Sequence, residues 1–460
     1  MTRRRHLPGK VLVRLAAGLE LLDLPAHRDV RTRVAEARPA LDRGGALDRC
    51  IHRHSGALRA SHAFTTRQNV ANPGRRHLGW DALEHELGLS RTFRVDVHPM
   101  VHVPSLVADL AALSGVEMAS PLFLAQTPFA TRSQSEEPDL DLDGSRAMIG
   151  AGAALDLESG DSALIVALID SGVSTHHPEL FHRLRPGLNT VSSADLEPGL
   201  ELLSQARPRG QDVADDQGHG TAVAGILGAN GLDVAPGLAG EAQILPIRAL
   251  CGARVPGEAH ATAIGSLADI DSGFKTAIDL GARVLNLSFG TAQSDLDPTD
   301  PVPHVQVVRY ALARECVLVS AAGNSGKDEA FFPAALPGVI AVGAVGPSRR
   351  RSRFSTGGAH VALCAPGEGI RVAALEGYGR LSGTSFSAPM VAGACALMLA
   401  HAARRSTPLS AGQVRDLLRQ SAASFAAGDP RTTATTCGAG ILDVPAALRA
   451  VEEECRLEAA

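Results

Sequence analysis

From about residue 148 onward, short uninterrupted apolar runs alternate with stretches of helical periodicity. The runs are Ala163 to Ile169, Ile244 to Ile247, Val284 to Leu287, Val317 to Val319 and Val339 to Val345. Each has the length of a strand and lacks the in–out alternation of a half-exposed one, so both faces are expected to be covered. Buried strands separated by helices predict an α/β domain with a doubly wound, mostly parallel sheet and helices on both faces. Earlier in the chain the pattern differs. Phe93, Val95 and Val97 alternate with Arg94 and Asp96, which predicts a half-buried strand. Pro104 and Ser105 open a short helix with Leu106, Leu110 and Leu113 on one face, Gly115 closes it, and Val116 to Ser120 resumes as a strand. Residues 91–126 therefore read as a small α+β unit, and the polar, acidic residues 127–146 as an exposed linker. Within residues 1–90, only Val11 to Val13 reads as a strand and Asp29 to Leu41 as a helix. This basic N-terminal region carries no legible role.

The longest apolar run, Ala388 to Ala400, follows Leu381-Ser-Gly-Thr-Ser-Phe-Ser-Ala-Pro-Met390 and ends at His401 and the pair Arg404 and Arg405. This predicts a loop feeding a buried helix, with Ser385 in its first turn. Unpaired N–H groups and the positive end of the helix dipole gather there and stabilise negative charge. A serine so placed either caps the helix or attacks a carbonyl and holds the oxyanion that forms.

In a parallel sheet, reactive side chains lie beyond the carboxyl ends of the strands, and three further residues fall there. Asp170 directly follows the first run and is either a turn cap or a carboxylate that orients a partner. His219, in Gly218-His-Gly-Thr-Ala-Val-Ala-Gly225, is either structural or a base. Asn324, in Ser320-Ala-Ala-Gly-Asn-Ser325, is either a turn residue or an amide donor to a developing oxyanion. A serine nucleophile needs a base, and the base needs an orienter. The order Asp170, His219, Ser385 is that of the subtilisin triad.

Together these motifs resemble those of the subtilisin-like serine peptidases. Asp170-Ser-Gly is similar to the family's aspartate motif, Gly218-His-Gly-Thr to its histidine motif, Gly383-Thr-Ser-Phe-Ser-Ala-Pro389 to its serine motif and Ala322-Gly-Asn324 to its oxyanion segment. Val284-Leu-Asn-Leu-Ser-Phe-Gly290 resembles the strand that pairs with substrate, and Gly438-Ala-Gly-Ile-Leu-Asp443 the closing segment. The resemblance spans residues 147–450 and implies a catalytic domain over 147–460. It implies a serine endopeptidase in which Ser385 is the nucleophile and His219 the general base and then acid. Asp170 would orient His219, and Asn324 with the Ser385 N–H would form the oxyanion hole. The implied substrate-binding positions are Ser288, Phe289, Gly290, Ala321, Ala322, Gly323 and Phe331. Phe331 stands where the pocket floor is often glycine, which implies a shallow pocket for small or medium apolar residues. Asp328 and Glu329 nearby favour a basic residue instead.

Residues 91–126 similarly resemble the family's inhibitory pro-region, with Leu122 to Phe129 as a tail filling the cleft. This implies a zymogen cut within residues 126–146. The stretch Ser192 to Asp216 is an insertion relative to compact relatives and is expected to form a surface loop. Ala222 replaces a non-catalytic histidine. Ala229-Asn-Gly-Leu-Asp233 falls where many relatives hold calcium, but Asn230 and Asp233 supply too few oxygens to define a site. Calcium stays open as a cofactor and no other is implied. The expected partners are a polypeptide substrate and the chain's own pro-region in cis, without nucleic acid or membrane, in a monomer. Two alternatives stand beside the endopeptidase: a peptide ligase or macrocyclase sharing the acyl-enzyme, and a non-catalytic peptide-binding pseudo-protease.

Composition changes the picture in few places. A net charge of −5 argues against a general nucleic-acid binder, although residues 1–90 are rich in arginine (Arg3 to Arg5, Arg28, Arg31, Arg33, Arg75, Arg76). That basic segment is either solvated or docked on an acidic part of the same chain. Aromatics make up 3% of the chain, so Ala, Val, Leu and Ile must build the core. The seven scattered cysteines form no C-x-x-C pair and suggest neither a disulfide framework nor zinc. His52 and His54 lack accompanying ligands. The basic start followed by a broken apolar run is a poor signal peptide, which points to the cytoplasm or an atypical export route. No run reaches the length needed to span a membrane.

Overall fold

The computed structural model describes residues 6–19, 23–72, 79–127, 131–132, 144–196, 200–204, 212–256 and 260–458. In chain order the strands are β1 (His6–Leu15), β2 (Leu58–His62), β3 (Thr92–Val97), β4 (Val116–Gln126), β5 (Thr131–Arg132), β6 (Ile165–Asp170), β7 (Leu188–Asn189), β8 (Glu201–Leu202), β9 (Gln243–Arg248), β10 (Cys251–Arg254), β11 (Thr262–Ser266), β12 (Val284–Leu287), β13 (Thr291–Ala292), β14 (Val317–Ala321), β15 (Phe331–Phe332), β16 (Ile340–Val345), β17 (Val361–Pro366), β18 (Ile370–Ala373) and β19 (Tyr378–Ser382).

The central sheet has the order β17-β16-β14-β12-β6-β9-β7, and every neighbouring pair is parallel. The apolar runs of the sequence are its strands. Every residue of β6, β12, β14 and β16 is buried, which is why they carry no alternation. Burial splits by face. Val166 and Leu168 join the core made with the helices His219–Gly228 and Thr384–Arg404. Ile165, Ala167 and Ile169 join Ile270 and Phe274 of the helix Leu267–Asp279 and Tyr310 of the helix Val305–Ala313. The sheet is thus covered on both sides, as the doubly wound α/β expectation requires.

The helix Thr384–Arg404 is long and apolar enough to cross a bilayer by length and composition, contrary to the reading from run length. Within the fold, 94% of that apolar window is buried, so its apolarity is accounted for by core packing.

The N-terminal unit is larger than the sequence reading drew it. β2, β3, β1 and β4 form an antiparallel sheet in that order, so two of its strands come from before residue 91. The boundary at 90/91 therefore cuts a single unit, whose core runs from Val11, Val13 and Ile51 to Phe93, Leu106 and Leu110. β1 alternates inward and outward along its length with Lys10 and Arg14 at outward positions, but the apolar Leu12 between them on the same face disguises the alternation. The helix expected over Asp29 to Leu41 is confined to His27–Arg31, because the backbone turns left-handed at Arg33 (φ 59°).

β4 also runs past Ser120 to Gln126 and pairs with β11, which joins the two units in one sheet. Farther along that sheet, β8 pairs with β10. β8 belongs to the Ser192–Asp216 insertion, which therefore carries a strand and is not simply a surface loop; its residues 197–199 and 205–211 lie outside the described ones. Of the expected 127–146 linker, residues 128–130 and 133–143 lie outside the described residues, while Thr131–Arg132 is a strand paired with β19. Arg3 to Arg5, Arg75 and Arg76 are likewise outside.

Two buried ionic clusters join the units. In the first, Arg94, 1% exposed, donates to Asp96 (3.1 Å) and to Asp195 (2.5 Å), and Lys10 bridges the same two carboxylates at 2.8 and 3.0 Å. Arg31 donates to the Val191 and Asn189 carbonyls. In the second, Lys275 of the peptidase part lies 2.6 Å from both Glu84 and Asp279, all three at most 1% exposed, and donates to the Thr65 carbonyl. Part of the basic N-terminal region is thus docked on acidic groups, and the Lys275 cluster reverses the polarity.

Candidate active site

Asp170 closes β6 with its carboxylate fully buried; Oδ1 accepts from the Ser171 N–H (2.7 Å) and from His219 Nδ1 (2.8 Å). His219 is the first residue of its helix, and Gly218 precedes it with φ 96°. Close approach sets the following residue: a Cβ on Gly220 would stand 2.1 Å from the Gly172 carbonyl oxygen, so only glycine lets the helix sit this near the aspartate turn. Asp215 organises the entry to the helix. It accepts from the N–H groups of Gln217, Gly218 and Thr221 and from the Ser171 and Thr221 hydroxyls. The sequence reading passed over Asp215; its signal was an acidic residue just ahead of a glycine-led helix start.

Burial alone would lower the His219 pKa, but the Asp170 charge and hydrogen bond, with Asp215 behind them, raise it above its ordinary value. The outer nitrogen is in a different situation. His219 Nε2, Ser385 Oγ and Asp170 Oδ2 are buried and have no hydrogen-bond partner. The aspartate–histidine link is therefore made, whereas no hydrogen bond joins His219 to Ser385. Phe386, next to Ser385, brings its ring centroid to 5.7 Å from that of the imidazole. Orphaned buried polar atoms are rare and need a reason. Catalytic hydrogen bonds are often long before substrate is bound.

Ser385 is the second residue of its helix, after Gly383 at the cap position. Asn324, on the turn after β14, accepts through Oδ1 from the Thr384 N–H and hydroxyl, both at 2.9 Å. This fixes the amide's orientation and turns Nδ2 toward Gly383, where a Cβ would stand 3.0 Å from it. Thr384, another residue the sequence reading passed over, thereby sets which edge of Asn324 faces the serine turn.

The Ser288 hydroxyl donates to the Ser385 carbonyl (3.1 Å), tying the 288–290 segment to the serine helix. The Gly290 N–H donates to the Gln126 carbonyl (3.1 Å), and the Thr127 N–H to the Ala263 carbonyl (3.0 Å). The end of β4 therefore lies as a middle strand between β11 and Gly290. Of the expected tail, Pro128 and Phe129 lie outside the described residues. Phe289 turns its ring into the core against His304, and Ala321 and Ala322 are fully buried. Phe331 lies across the glycines: a Cβ on Gly290 would meet its ring at 2.5 Å, and one on Gly323 at 2.9 Å. Asp328 is paired with Arg351 at 2.6 Å, and Glu329 accepts from the Ser294 N–H.

The loop where calcium stayed open does not fit that ion. The N–H groups of Gly231, Leu232, Asp233 and Val234 all converge on the Glu179 carboxylate, whereas calcium requires six to eight oxygens. Among the described residues no group of three or more His, Cys, Asp or Glu is arranged to hold a metal.

Residues 161–440 match the model of the subtilase family. The chain is 36% identical over 249 residues to a thermophilic serine proteinase of Bacillus sp. (strain AK1), covering 53% of this chain and 54% of that protein. It is 32% identical over 292 residues to subtilisin Savinase of Lederbergia lenta, covering 63% and 91%. The chain thus spans about half the length of the first of these relatives and nearly all of the second. Among solved structures, the epidermin leader peptide processing serine protease of Staphylococcus aureus superposes with a TM-score of 0.61 at 22% identity, over 79% of this chain and 91% of that one. The prenylagaramide maturation protease PagA superposes with a TM-score of 0.52 at 24% identity, over 66% and 98%. With its aspartate, histidine and serine turns at one rim of a parallel sheet, and with most of its length under the family's model, the chain belongs to the subtilase family, the subtilisin-like serine peptidases.

Proposed function

We propose that the chain is a serine endopeptidase made as a zymogen, with Ser385, His219, Asp170 and Asn324 as its catalytic set. The observation that carries this reading is the pair of orphaned buried atoms, His219 Nε2 and Ser385 Oγ, beside an imidazole already anchored to Asp170. The proposed chemistry uses those atoms. Ser385 Oγ attacks the substrate carbonyl while Nε2 takes its proton, and the oxyanion is held by Asn324 Nδ2 and the Ser385 N–H. Nε2 then returns the proton to the leaving amine, and water hydrolyses the acyl-enzyme by the same route. The buried carboxylate of Asp170 stabilises the imidazolium formed midway.

The zymogen reading is supported by the path of the chain itself. Leu124 to Thr127 fills the strand position between β11 and Gly290, and Thr131–Arg132 pairs with β19, the strand that feeds Ser385. The scissile bond is therefore expected between Thr127 and Arg132. The Phe331 ring lying against Gly290 and Gly323 favours small or medium apolar residues before the bond, and Asp328, paired with Arg351, weakens the case for a basic one.

Intact-mass measurement of the purified full chain tests both parts. The expected product begins between residues 128 and 132, and Ser385→Ala stays full-length. Shortening of the purified Ser385→Ala protein overturns self-cleavage. Failure of a fluorophosphonate to label Ser385 in the processed protein overturns the nucleophile.

A further inference from the structure

Glu179 is a fully buried carboxylate that the proposed chemistry does not use. Its Oε1 accepts from the N–H groups of Asp233 (2.7 Å), Leu232 (3.1 Å) and Val234 (3.3 Å), and its Oε2 from Gly231 (2.8 Å) and Leu232 (3.2 Å). Its own carbonyl accepts from the Asn230 N–H (3.0 Å). The loop 230–234 is thus wrapped around one anion. Burial works against the charge, but the N–H groups outweigh it and hold the carboxyl below its ordinary pKa.

The same carboxylate reaches the β18–β19 hairpin. Tyr378, the first residue of β19, donates its hydroxyl to Glu179 Oε1 (3.3 Å). Arg371 of β18 donates to the Asp233 carbonyl (2.8 Å), and its guanidinium lies 5.7 Å from the Tyr378 ring centroid. The Glu179 N–H donates to His177 Nδ1 (3.2 Å), which leaves Nε2 as the donor to the Gly377 carbonyl (3.0 Å) at the hairpin turn. The His177 ring also meets Tyr378 edge to face, with centroids 5.4 Å apart. β19 pairs with β18 on one side and, through Leu381 and Ser382, with Arg132 and Thr131 on the other.

We propose that Glu179 is a positioning residue for the leaving-group side of the cleft: its carboxylate clamps the 230–234 loop to the β18–β19 hairpin without a metal ion and so holds β19 in place to receive the chain beyond the scissile bond. The proposal rests on the peptidase reading for the identity of the cleft. The clamp itself rests on the contacts above.

Two measurements separate these. In the full chain carrying Ser385→Ala, amide hydrogen exchange across Tyr378 to Ser382 is expected to quicken about tenfold or more with Glu179→Gln, and less with Tyr378→Phe, which removes only the hydroxyl link. Unchanged exchange in both variants overturns the clamp. In processed enzyme, the variants are compared on a peptide extending to both sides of the scissile bond and on a chromogenic amide with no residues beyond it. The expected outcome is a loss of about tenfold in kcat/KM on the first and a change within about twofold on the second. Equal losses on both overturn the positioning role. Melting temperature in calcium and in EGTA is expected to be the same. A calcium-dependent rise that Glu179→Gln abolishes would make Glu179 a metal ligand and overturn the metal-free clamp. A wild-type protein that cleaves neither substrate, with the exchange result intact, overturns the peptidase reading and leaves the clamp standing.

Discussion

Within the peptidase part, the central sheet is sealed by Ala, Val, Leu and Ile, and the two cores on its faces contain few large rings. Where the N-terminal unit meets it, the contact is mixed. Ala63, Phe64 and Leu89 join the same buried cluster as Ile270 and Phe274, but beside them lie two groups of fully or largely buried charges centred on Arg94 and Lys275. The difference matters because apolar burial is insensitive to pH and loses only about 0.5–1.5 kcal/mol when one buried methylene is removed. A buried ion pair, by contrast, gains little over an apolar substitute yet becomes very unfavourable once one partner is removed. The core is therefore expected to be robust and the junction between units conditional, as the proposed zymogen cleavage would require.

The largest expected effect breaks the junction directly. Lys275→Met leaves Glu84 and Asp279 buried beside each other without a cation and should destabilise the full chain by about 3–5 kcal/mol, read by denaturant unfolding of the Ser385→Ala background. A comparable loss from removing one methylene within the central sheet, such as Ile340→Val, where about 0.5–1.5 kcal/mol is expected, would erase the contrast between core and junction.

Asn324→Ala comes next, on the side of the comparison proposed to do the chemistry. Turnover should fall about 10²–10³-fold, a figure carried over from subtilisin, and melting temperature should fall as well, because the buried Thr384 loses the acceptor of its N–H and hydroxyl. Steady-state kinetics of the processed enzyme read it, and an unchanged rate removes Asn324 from the oxyanion hole.

Phe331→Gly sharpens the picture of the cleft. With the ring gone from between Gly290 and Gly323, preference should move toward larger apolar residues before the scissile bond, by about 10-fold or more in kcat/KM ratios. A peptide-library profile that does not move places the pocket floor elsewhere.

The smallest expected effect is on pH. His27 sits in the Arg94 cluster, its Nε2 3.0 Å from Arg94 Nη1 and 3.2 Å from the Ser192 hydroxyl, with Ser61 at Nδ1. Lys10, Arg31, Asp96, Asp195 and Asp269 complete the charged surroundings. Burial first, and then Arg94, push its pKa well below the ordinary value. The folded state therefore holds the neutral ring, while the unfolded chain binds a proton near pH 6.5. Stability is flat above that pH, falls as pH drops below it, and levels off only beneath the folded value. Melting curves of the Ser385→Ala chain from neutral to mildly acidic pH should show this decline, flattened in His27→Gln. The proposed catalytic histidine runs the other way: with the His219 pKa raised above its ordinary value, the rising limb of kcat/KM is expected above pH 6.5, read from the pH profile of the processed enzyme.

What the linear chain determined by itself was whatever depends on neighbours in sequence. Strands buried on both faces must be continuously apolar, so β6, β12, β14 and β16 were visible within a residue or two of their ends. Close backbone approach at Gly220 leaves a glycine in the sequence, so the histidine turn was marked as well. Tertiary structure decided what depends on distant partners. β1 and β3 are neighbours in the sheet but lie some eighty positions apart along the chain, so neither reveals the other. Glu84 and Lys275 each look like a solvated surface charge until the fold buries them together, and Glu179 shows its role only when four N–H groups from a loop some fifty residues away close around it. The physical reason is common to these cases. Burial pattern and steric clearance are written locally, whereas the compensation of a buried charge needs a partner that only chain folding can supply.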